Sequence, residues 1–265
     1  NKWSNLEANK YIKNYKKINI SKDLALRIYT THLLGREKDL VLHGGGNTSL
    51  KTSMNNLFKE KIDVMHIKGS GWDMGTIDYP GLPAVELKPL LKTNKLKKLN
   101  DFDMVNLQRK SLVDSKSPNP SVETLLHAFL PFKFVDHTHA DAVLNVTNRP
   151  NGFKFCKKVF GKKASIVPYV MPGFMLAKKI NEVYSKNPNI NCLILMNHGI
   201  FTFSDDCKEA YDLMIKYVSK AERAIKKLKS KKIKQIKKYN TKFDPHEVAP
   251  IIRGLLSENK DQKFV

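Results

Sequence analysis

Apolar residues recur with two different spacings along this chain, and together the spacings predict alternating helices and strands. Helical spacing covers residues 5–17, 22–34, 95–113, 121–130, 172–185 and 206–236. Short apolar runs typical of strands lie at residues 40–43, 48–51, 62–67, 134–139, 166–170 and 192–196. Ser21 and Ser121 stand where two of the helices begin and are predicted to cap them. Because the two kinds of segment alternate through the middle of the chain, we expect a sheet with helices on both faces.

Length and composition are those of a globular protein with a sizeable core. With 265 residues and 41% hydrophobic side chains, the chain can form one large domain or two small ones. No segment approaches the roughly 20 apolar residues of a membrane span, and the polar start offers no signal-peptide core. A cytoplasmic location is therefore expected. Cys156, Cys192 and Cys207 are far apart and form no C-x-x-C pair, so we expect reduced thiols without a metal or redox role.

The net charge of +22, from 47 Lys+Arg and 25 Asp+Glu, raises the question of a polyanionic partner. Arginine, which binds phosphates and base edges in a bidentate manner, is rare here, and nearly all of the excess is lysine. The sequence has no stripe of aromatic residues interleaved with arginine, as nucleic-acid sites require. We therefore predict a solvated lysine coat, with no nucleic-acid or membrane partner, that could still steer a phosphorylated metabolite toward its site.

Three histidines form a candidate metal site. His137 and His139 are two residues apart, so in an extended backbone their side chains leave on the same face and can bind one ion. His198, just beyond the predicted strand 192–196, would supply a third nitrogen. Three neutral imidazoles leave one coordination position open, as in catalytic zinc sites. Imidazole also suits other divalent transition metals, and an H-x-H pair alone is a weak signal, so Zn²⁺ is the first choice rather than the only one.

Other titratable residues around these histidines carry weaker predictions. Asp136 and Asp141 flank the pair and could orient an imidazole, but surface charge is the preferred interpretation for both. His43, beside a glycine run, is a candidate for lining a pocket. Ordinary partly buried side chains are predicted for the remaining histidines, His32, His66, His127 and His246.

Two glycine turns, Gly46-Asn47 and Ser70-Gly71, put small residues next to predicted strands. Backbone N–H groups in such turns can point at an anion with no side chain in the way, although a bare glycine turn is usually only a turn. The chain lacks both G-x-x-x-x-G-K-[ST] and G-x-G-x-x-G, so the common nucleotide loops are excluded. It also lacks the G-x-S-x-G elbow, which excludes a serine hydrolase of that kind.

Taken in order along the chain, five short motifs resemble the class II aldolase/adducin family. They are Gly45-Gly46-Asn47-Thr48-Ser49, Lys68-Gly69-Ser70-Gly71, Ser121-Val122-Glu123, His137-Thr138-His139 and Asn197-His198-Gly199. The resemblance runs from about Leu24 to Ser230, most of the chain. Three longer forms look most like the aldolase half of bifunctional rhamnulose-1-phosphate aldolase/alcohol dehydrogenase proteins: Gly44-Gly45-Gly46-Asn47-Thr48-Ser49, Pro120-Ser121-Val122-Glu123-Thr124 and Val135-Asp136-His137-Thr138-His139-Ala140-Asp141.

The resemblance implies an α/β fold, a three-layer α/β/α domain with a largely antiparallel central sheet, over residues 1–240. The tail, residues 241–265, resembles the start of a junction to a C-terminal dehydrogenase domain of the NAD-dependent, short-chain type. The resemblance further implies a homotetramer with its sites between subunits. Zinc ligands correspond to His137, His139 and His198, and the catalytic acid/base corresponds to Glu123. The substrate phosphate pocket corresponds to Gly46, Asn47, Ser70, Gly71 and Ser121.

The implied reaction is a carbon–carbon cleavage of a phosphorylated ketose in carbohydrate metabolism. A ketose 1-phosphate such as rhamnulose 1-phosphate would give dihydroxyacetone phosphate and lactaldehyde, with zinc stabilising the charge that develops. The same scaffold serves sugar-phosphate 4-epimerases and other metal-dependent lyases; a non-catalytic adducin-like or polyanion-binding module is the weaker alternative. Some family aldolases protonate the aldehyde oxygen with a tyrosine from the adjacent subunit, and Asn148 to Phe160 contains none. Tyr169 is a substitute candidate, although we prefer a structural turn role for it.

Overall fold

The structure is a computed structural model, and it describes residues 1–228 and 244–256. The chain divides into two compact units, residues 1–227 and residues 228–265, which are described separately below. The predicted domain boundary at residue 240 lies outside the described residues and stays a prediction.

The first unit contains helices on both sides of one sheet. Its helices are α1 (Asn5–Lys16), α2 (Lys22–Gly35), α3 (Leu87–Lys92), α4 (Asp101–Lys110), α5 (Thr124–Phe129), α6 (Asp141–Thr147), α7 (Gly152–Phe160), α8 (Phe174–Lys186) and α9 (Cys207–Lys226). Short 3-10 turns lie at Tyr79–Gly81 and Thr93–Lys95. The strands are β1 (Asn47–Asn55), β2 (Lys61–Ile67), β3 (Ala84–Glu86), β4 (Phe134–Thr138), β5 (Ala164–Val167), β6 (Cys192–Leu195) and β7 (Gly199–Ser204).

In the described part of the chain, these strands form a seven-stranded sheet in the order β3-β2-β1-β4-β7-β6-β5. Only the β5–β6 pairing within it is parallel. Alternate strand residues enter different cores, as period-two geometry requires. Leu193 and Leu195 of β6 join the core with α5 and α8, whereas Cys192 and Ile194 join the core with α6, α7 and α9. The predicted three-layer α/β/α fold with a largely antiparallel sheet is confirmed.

The two predicted helix caps have different outcomes. Ser21 caps α2, since its hydroxyl accepts a hydrogen bond from the N–H of Leu24 at 3.2 Å. The prediction that a helix begins at Ser121 is wrong, because α5 begins at Thr124. The N–H of Ser121 instead donates to the carbonyl of Lys68 at 3.0 Å, which ties this residue to the end of β2 and keeps it out of the helix. This tie brings the loop before α5 against the loop after β2.

Several predicted elements need correction. Residues 40–43 are not a strand: the N–H of Leu40 bonds to Glu37 and that of Gly45 to Leu42, which are turn contacts. Leu40 and Val41 are buried without a strand partner, whereas Leu42 is 56% exposed, so an apolar run alone does not make a strand. Within residues 95–113, helix α4 starts only at Asp101, because Asn100 caps it. Helix α9 ends at Lys226, before the predicted end near residue 236, and residues 229–236 lie outside the described part.

The second unit contains helix α10 (Pro245–Leu256), which has Pro250 inside it. Its apolar side chains Ile251, Ile252 and Leu255 are each at least half exposed. Among residues 1–228 and 244–256, no helix combines the length and the apolar character that crossing a bilayer demands. The cysteines Cys156, Cys192 and Cys207 are free thiols and buried, which agrees with their predicted lack of pairing.

Candidate metal centre and substrate pocket

The three predicted histidine ligands converge at the end of the central strands. His137 lies on β4, His139 follows that strand, and His198 lies in the turn between β6 and β7. Their ring centroids are 4.8 Å apart for His137–His139, 5.0 Å for His137–His198 and 5.3 Å for His139–His198. One nitrogen of each ring lies within 4.8 Å of the other two. Residues 61 positions apart in sequence thus form one cluster, as the spacing of the motifs predicted.

The tautomer of His137 is fixed by its surroundings. Its Nδ1 lies 3.0 Å from the carbonyl oxygen of Ile200, which can only accept, so Nδ1 carries the proton. Nε2 therefore presents a lone pair toward the cluster, where it is 3.0 Å from Nε2 of His139. The ring of Phe201, on the neighbouring strand, stacks on His137 at a centroid distance of 4.1 Å and holds its plane. A metal-binding imidazole needs this combination of a fixed ring and a free Nε2.

Glu123 closes the cluster from the loop before α5. Its Oε2 is 3.3 Å from Nε2 of His137, and its Oε1 is 3.2 Å from Nε2 of His198. The side-chain amide of Asn47 donates a hydrogen bond to Oε2 at 2.7 Å. Burial raises the pKa of this carboxyl, but the positive charge that His137 and His198 carry when protonated, together with hydrogen bonds from His198 and Asn47, holds the pKa below its usual range. Glu123 is therefore an ionised carboxylate at neutral pH.

The donor set fits a divalent cation. Burial lowers the pKa of His137 to about 3 and also lowers that of His139, so both rings are neutral. Neutral imidazole nitrogens and a carboxylate crowded together repel one another unless a cation lies among them. Three histidine nitrogens beside a carboxylate are a ligand set that zinc and neighbouring transition metals accept.

A cavity of about 240 Å³ lies directly beside the cluster. All the residues assigned to the phosphate pocket line it, namely Gly46, Asn47, Ser70, Gly71 and Ser121. Glu123, His139 and His198 line the same cavity. A larger cavity, of about 790 Å³, lies elsewhere, beside β2 and α3. We assign the site to the smaller cavity because the histidine cluster, Glu123 and the two glycine turns all face it.

Lys68 was missed as a site residue, and it joins the two glycine loops around this cavity. Its ammonium donates to the carbonyls of Trp72 at 2.7 Å, Gly44 at 3.0 Å and Gly69 at 3.3 Å. These bonds use all three of its N–H groups. Burial lowers its pKa to about 8. The available signal was a lysine at the start of the Ser70-Gly71 turn, a position where a charged side chain can reach the neighbouring loop.

Two glycines are required by close contacts at the cluster. Gly46 has φ +62°, and a Cβ there would lie 2.8 Å from the carbonyl oxygen of His137 and 2.6 Å from a methyl of Val41. A Cβ on Gly199 would lie 2.4 Å from the carbonyl oxygen of Thr138. Both positions exclude larger residues because β4 passes directly beside them. The two glycines thus let the flanking loops approach the strand that carries His137.

The flanking carboxylates behave differently from each other. Asp136 was predicted to be surface charge, and this is wrong: it is completely buried and pairs with the equally buried Arg27 of α2 at 2.5 Å. Strand alternation explains the error, because the residue before His137 must enter the opposite core. Burial raises the pKa of Asp136 even with the guanidinium beside it. Asp141 is exposed in the first turn of α6, which agrees with surface charge.

Three further residues singled out from the sequence, His43, Tyr169 and His127, differ in their distance from the cavity and in their burial. His43 is exposed, has φ 49°, and is not among the residues that line the cavity. Tyr169 is 55% exposed, three residues before Pro172, which does line the cavity. His127 was predicted to be an ordinary partly buried side chain, but it is completely buried and bonded to Asn47 and Ser49. This contact makes His127 part of the site.

Acid is expected to destabilise the metal-free chain. A histidine whose pKa is lowered by folding takes up its proton more readily when unfolded, so stability falls as pH drops below the unfolded value of 6.5. For His137, with a folded pKa of about 3, the loss between pH 6.5 and 5.0 is on the order of 1–2 kcal/mol. Urea unfolding at both pH values measures it, and His137→Asn should show a loss smaller by that amount. An equal pH dependence in the two proteins would contradict the buried, neutral state of His137.

Comparison with known proteins identifies the family. Residues 26–225 match the family model of the class II aldolase and adducin N-terminal domain, so the chain belongs to this family. The solved N-terminal class II aldolase domain of a conserved protein from Thermoplasma acidophilum is 43% identical, with a TM-score of 0.73, covering 77% of this chain and 93% of that one. The domain is therefore a metal-dependent, aldolase-type lyase domain, as the motifs predicted.

Two further comparisons limit what can be inferred about the function of this chain. The uncharacterized oxidoreductase YuxG of Bacillus subtilis (strain 168) is 35% identical over 243 residues, which are 88% of this chain but 35% of that protein. The chain thus spans about a third of the length of this curated relative. A sugar-phosphate aldolase from Thermotoga maritima is 16% identical with a TM-score of 0.58, covering 76% of this chain and 93% of that one. At that identity the likeness supports the fold.

Proposed function

We propose that this domain is a zinc-dependent aldolase that cleaves a ketose 1-phosphate such as rhamnulose 1-phosphate into dihydroxyacetone phosphate and lactaldehyde. The observation that carries the proposal is the convergence of His137, His139 and His198 with Glu123 at a cavity lined by the two glycine turns. A divalent ion bound by the three imidazoles would act as a Lewis acid toward the substrate carbonyl. Zinc is the first choice because three histidine nitrogens with an open position suit it.

The proposed role of Glu123 follows from its charge and contacts. As a carboxylate at neutral pH, it must first take up a proton, which solvent supplies, before it can protonate C3. Breaking the C3–C4 bond of the ketose leaves an electron pair at C3, and the proton from Glu123 ends there. The proton of the C4 hydroxyl must leave as the aldehyde forms. Its acceptor is the second proton carrier, for which Tyr169 of an adjacent subunit is a candidate.

The glycine turns and serines would hold the substrate phosphate. Ser70 and Ser121 offer hydroxyls at the same cavity, and Gly46 and Gly71 leave the backbone uncovered. The amide nitrogen of Asn47 also lies 3.1 Å from the Ser121 hydroxyl, so this residue connects the phosphate end of the cavity to Glu123. The surplus of lysine would favour the approach of an anionic substrate.

We further propose a cytoplasmic homotetramer of a longer, two-part protein. A sugar phosphate is an intracellular metabolite, and a rhamnose-derived one would be made and consumed in the same compartment. The relative named as an oxidoreductase extends far beyond the matched region, which supports a fused NAD-dependent dehydrogenase that acts on the aldehyde product. Residues 241–265 would then lead into that domain.

The test is a cleavage assay on rhamnulose 1-phosphate with the purified chain, with and without a chelator. Dihydroxyacetone phosphate and lactaldehyde should form, the chelator should stop the reaction, and added Zn²⁺ should restore it. Unphosphorylated rhamnulose is the matched control and should react poorly, because it lacks the group that the glycine turns bind. Formation of an epimeric sugar phosphate without dihydroxyacetone phosphate would replace the aldolase with a 4-epimerase, and turnover that the chelator leaves unchanged would contradict the metal-dependent mechanism.

A further inference from the structure

His127 has two hydrogen-bonding contacts and no access to solvent. It lies on α5, one turn after Glu123, and its backbone N–H donates to the Glu123 carbonyl at 3.3 Å. Its Nδ1 lies 2.8 Å from the hydroxyl oxygen of Ser49, and its Nε2 contacts Oδ1 of Asn47. The ring of Phe201, which also stacks on His137, packs against its edge at a centroid distance of 5.4 Å. Both ring nitrogens are therefore occupied.

The contacts of Asn47 fix the direction of this chain of hydrogen bonds. An ionised carboxylate only accepts, so the Asn47 group that faces Glu123 at 2.7 Å must be its NH₂. The carbonyl Oδ1 of Asn47 must then face His127, and a carbonyl accepts as well. Nε2 of His127 must consequently donate. In a neutral ring this leaves Nδ1 as the acceptor for the Ser49 hydroxyl.

We propose that His127 is a positioning residue for Glu123: by donating from Nε2 it holds the Asn47 amide with its N–H, rather than its carbonyl, toward the carboxylate. The inference rests on the proposed role of Glu123. Without the His127 donor, Oδ1 of Asn47 loses its hydrogen bond, and only the contacts of the amide NH₂ with Glu123 and Ser121 hold this orientation. An amide held at one end only can rotate away, and Glu123 then loses the hydrogen bond that positions its carboxylate. Nothing else in the described residues bonds to Asn47 Oδ1.

The alternative is that His127 only fills space in the core. Substitutions by side chains of similar size, one that can donate a hydrogen bond and one that cannot, distinguish the two roles. His127→Gln can present an amide N–H where Nε2 donates, whereas His127→Leu fills volume and cannot donate. His66→Leu is the matched control, since it removes a partly buried histidine, bonded to the Leu82 carbonyl away from the site. With one Zn²⁺ per chain in each protein, we expect His127→Leu to lower kcat about 10- to 100-fold and to change KM less than about twofold.

We expect His127→Gln to recover most of that loss and His66→Leu to retain the wild-type kcat. Equal losses in His127→Gln and His127→Leu would leave only a space-filling role and overturn the proposal. An unchanged kcat in His127→Leu would overturn it as well.

A measurement without turnover separates this inference from the proposed function. In the Zn²⁺-loaded chain with ¹⁵N-labelled imidazoles, the His127 signals, assigned by their absence in His127→Leu, should report a protonated Nε2 and an unprotonated Nδ1. A proton on Nδ1 would overturn the inference, because Asn47 would then turn its NH₂ to His127 and its carbonyl to Glu123. If the chain cleaves no ketose phosphate but Nε2 is protonated, the proposed function fails while the assigned hydrogen-bond direction holds.

Discussion

Replacing Glu123 by glutamine is expected to lower kcat for ketose 1-phosphate cleavage about a thousandfold while the chain still binds one divalent ion. The substitution keeps the size of the side chain and removes its charge and its capacity to carry a proton. The three imidazoles are untouched, so the metal content should not change. Steady-state kinetics together with metal analysis of the same preparation measures both effects.

Glu182→Gln is the control for this substitution. It removes a carboxylate that forms ion pairs with Lys179 and Lys186 on the surface of α8, away from the cavity, and it should leave kcat unchanged. Turnover at the wild-type rate in Glu123→Gln would exclude Glu123 as the proton carrier. Loss of the metal in that variant would instead mean that the carboxylate helps to bind the ion.

The second large effect is a loss of stability when the buried ion pair of Arg27 and Asp136 is broken. Asp136→Asn should lower the free energy of unfolding by about 3–5 kcal/mol, because it leaves an uncompensated guanidinium in the core. Arg27→Met should cost less, since the remaining carboxyl already has a raised pKa and can take up a proton. Urea unfolding of the two variants at pH 7 measures the difference.

Asp141→Asn is the matched control for the core pair, since it changes an exposed carboxylate on the same segment and should alter stability by less than about 0.5 kcal/mol. The double variant Arg27→Met with Asp136→Leu should regain much of the loss, because apolar side chains can replace a buried ion pair. A cost for Asp136→Asn no greater than that for Asp141→Asn would contradict the role assigned to the pair.

Much of the site could be predicted because its chemistry lies in short motifs next to regular elements. His137 and His139 point to the same side because they are two apart in an extended segment, and the strand alone dictates that. Glu123 and the pocket residues came from the resemblance to a family, and the structure brings them to the same cavity. The largely antiparallel sheet likewise followed from the resemblance to the family, whereas its seven strands and their order come from the structure. The fold and the convergence of the three histidines were therefore accessible from sequence.

The predictions that failed concern the surroundings of individual residues in the folded chain, which the neighbouring sequence does not reveal. Asp136 looked like surface charge because its partner Arg27 is more than a hundred residues earlier and on another element. His127 looked ordinary because its contacts with Ser49 and Asn47 form only when β1 packs beside α5. The run at residues 40–43 was apolar enough for a strand, yet it forms a turn that buries Leu40 and Val41 and leaves Leu42 exposed. For Asp136 and His127 a long-range contact decided the outcome.

A calorimetric titration of the metal-free chain with Zn²⁺ tests most directly the central claim, that His137, His139 and His198 bind one metal ion. The wild-type chain should bind one ion, and His137→Ala, His139→Ala and His198→Ala should each weaken binding at least about a hundredfold, because each removes one of three ligands. His43→Ala removes an exposed histidine outside the cavity lining and should bind Zn²⁺ as the wild type does. Wild-type affinity in His198→Ala would contradict a metal centre built from these three imidazoles.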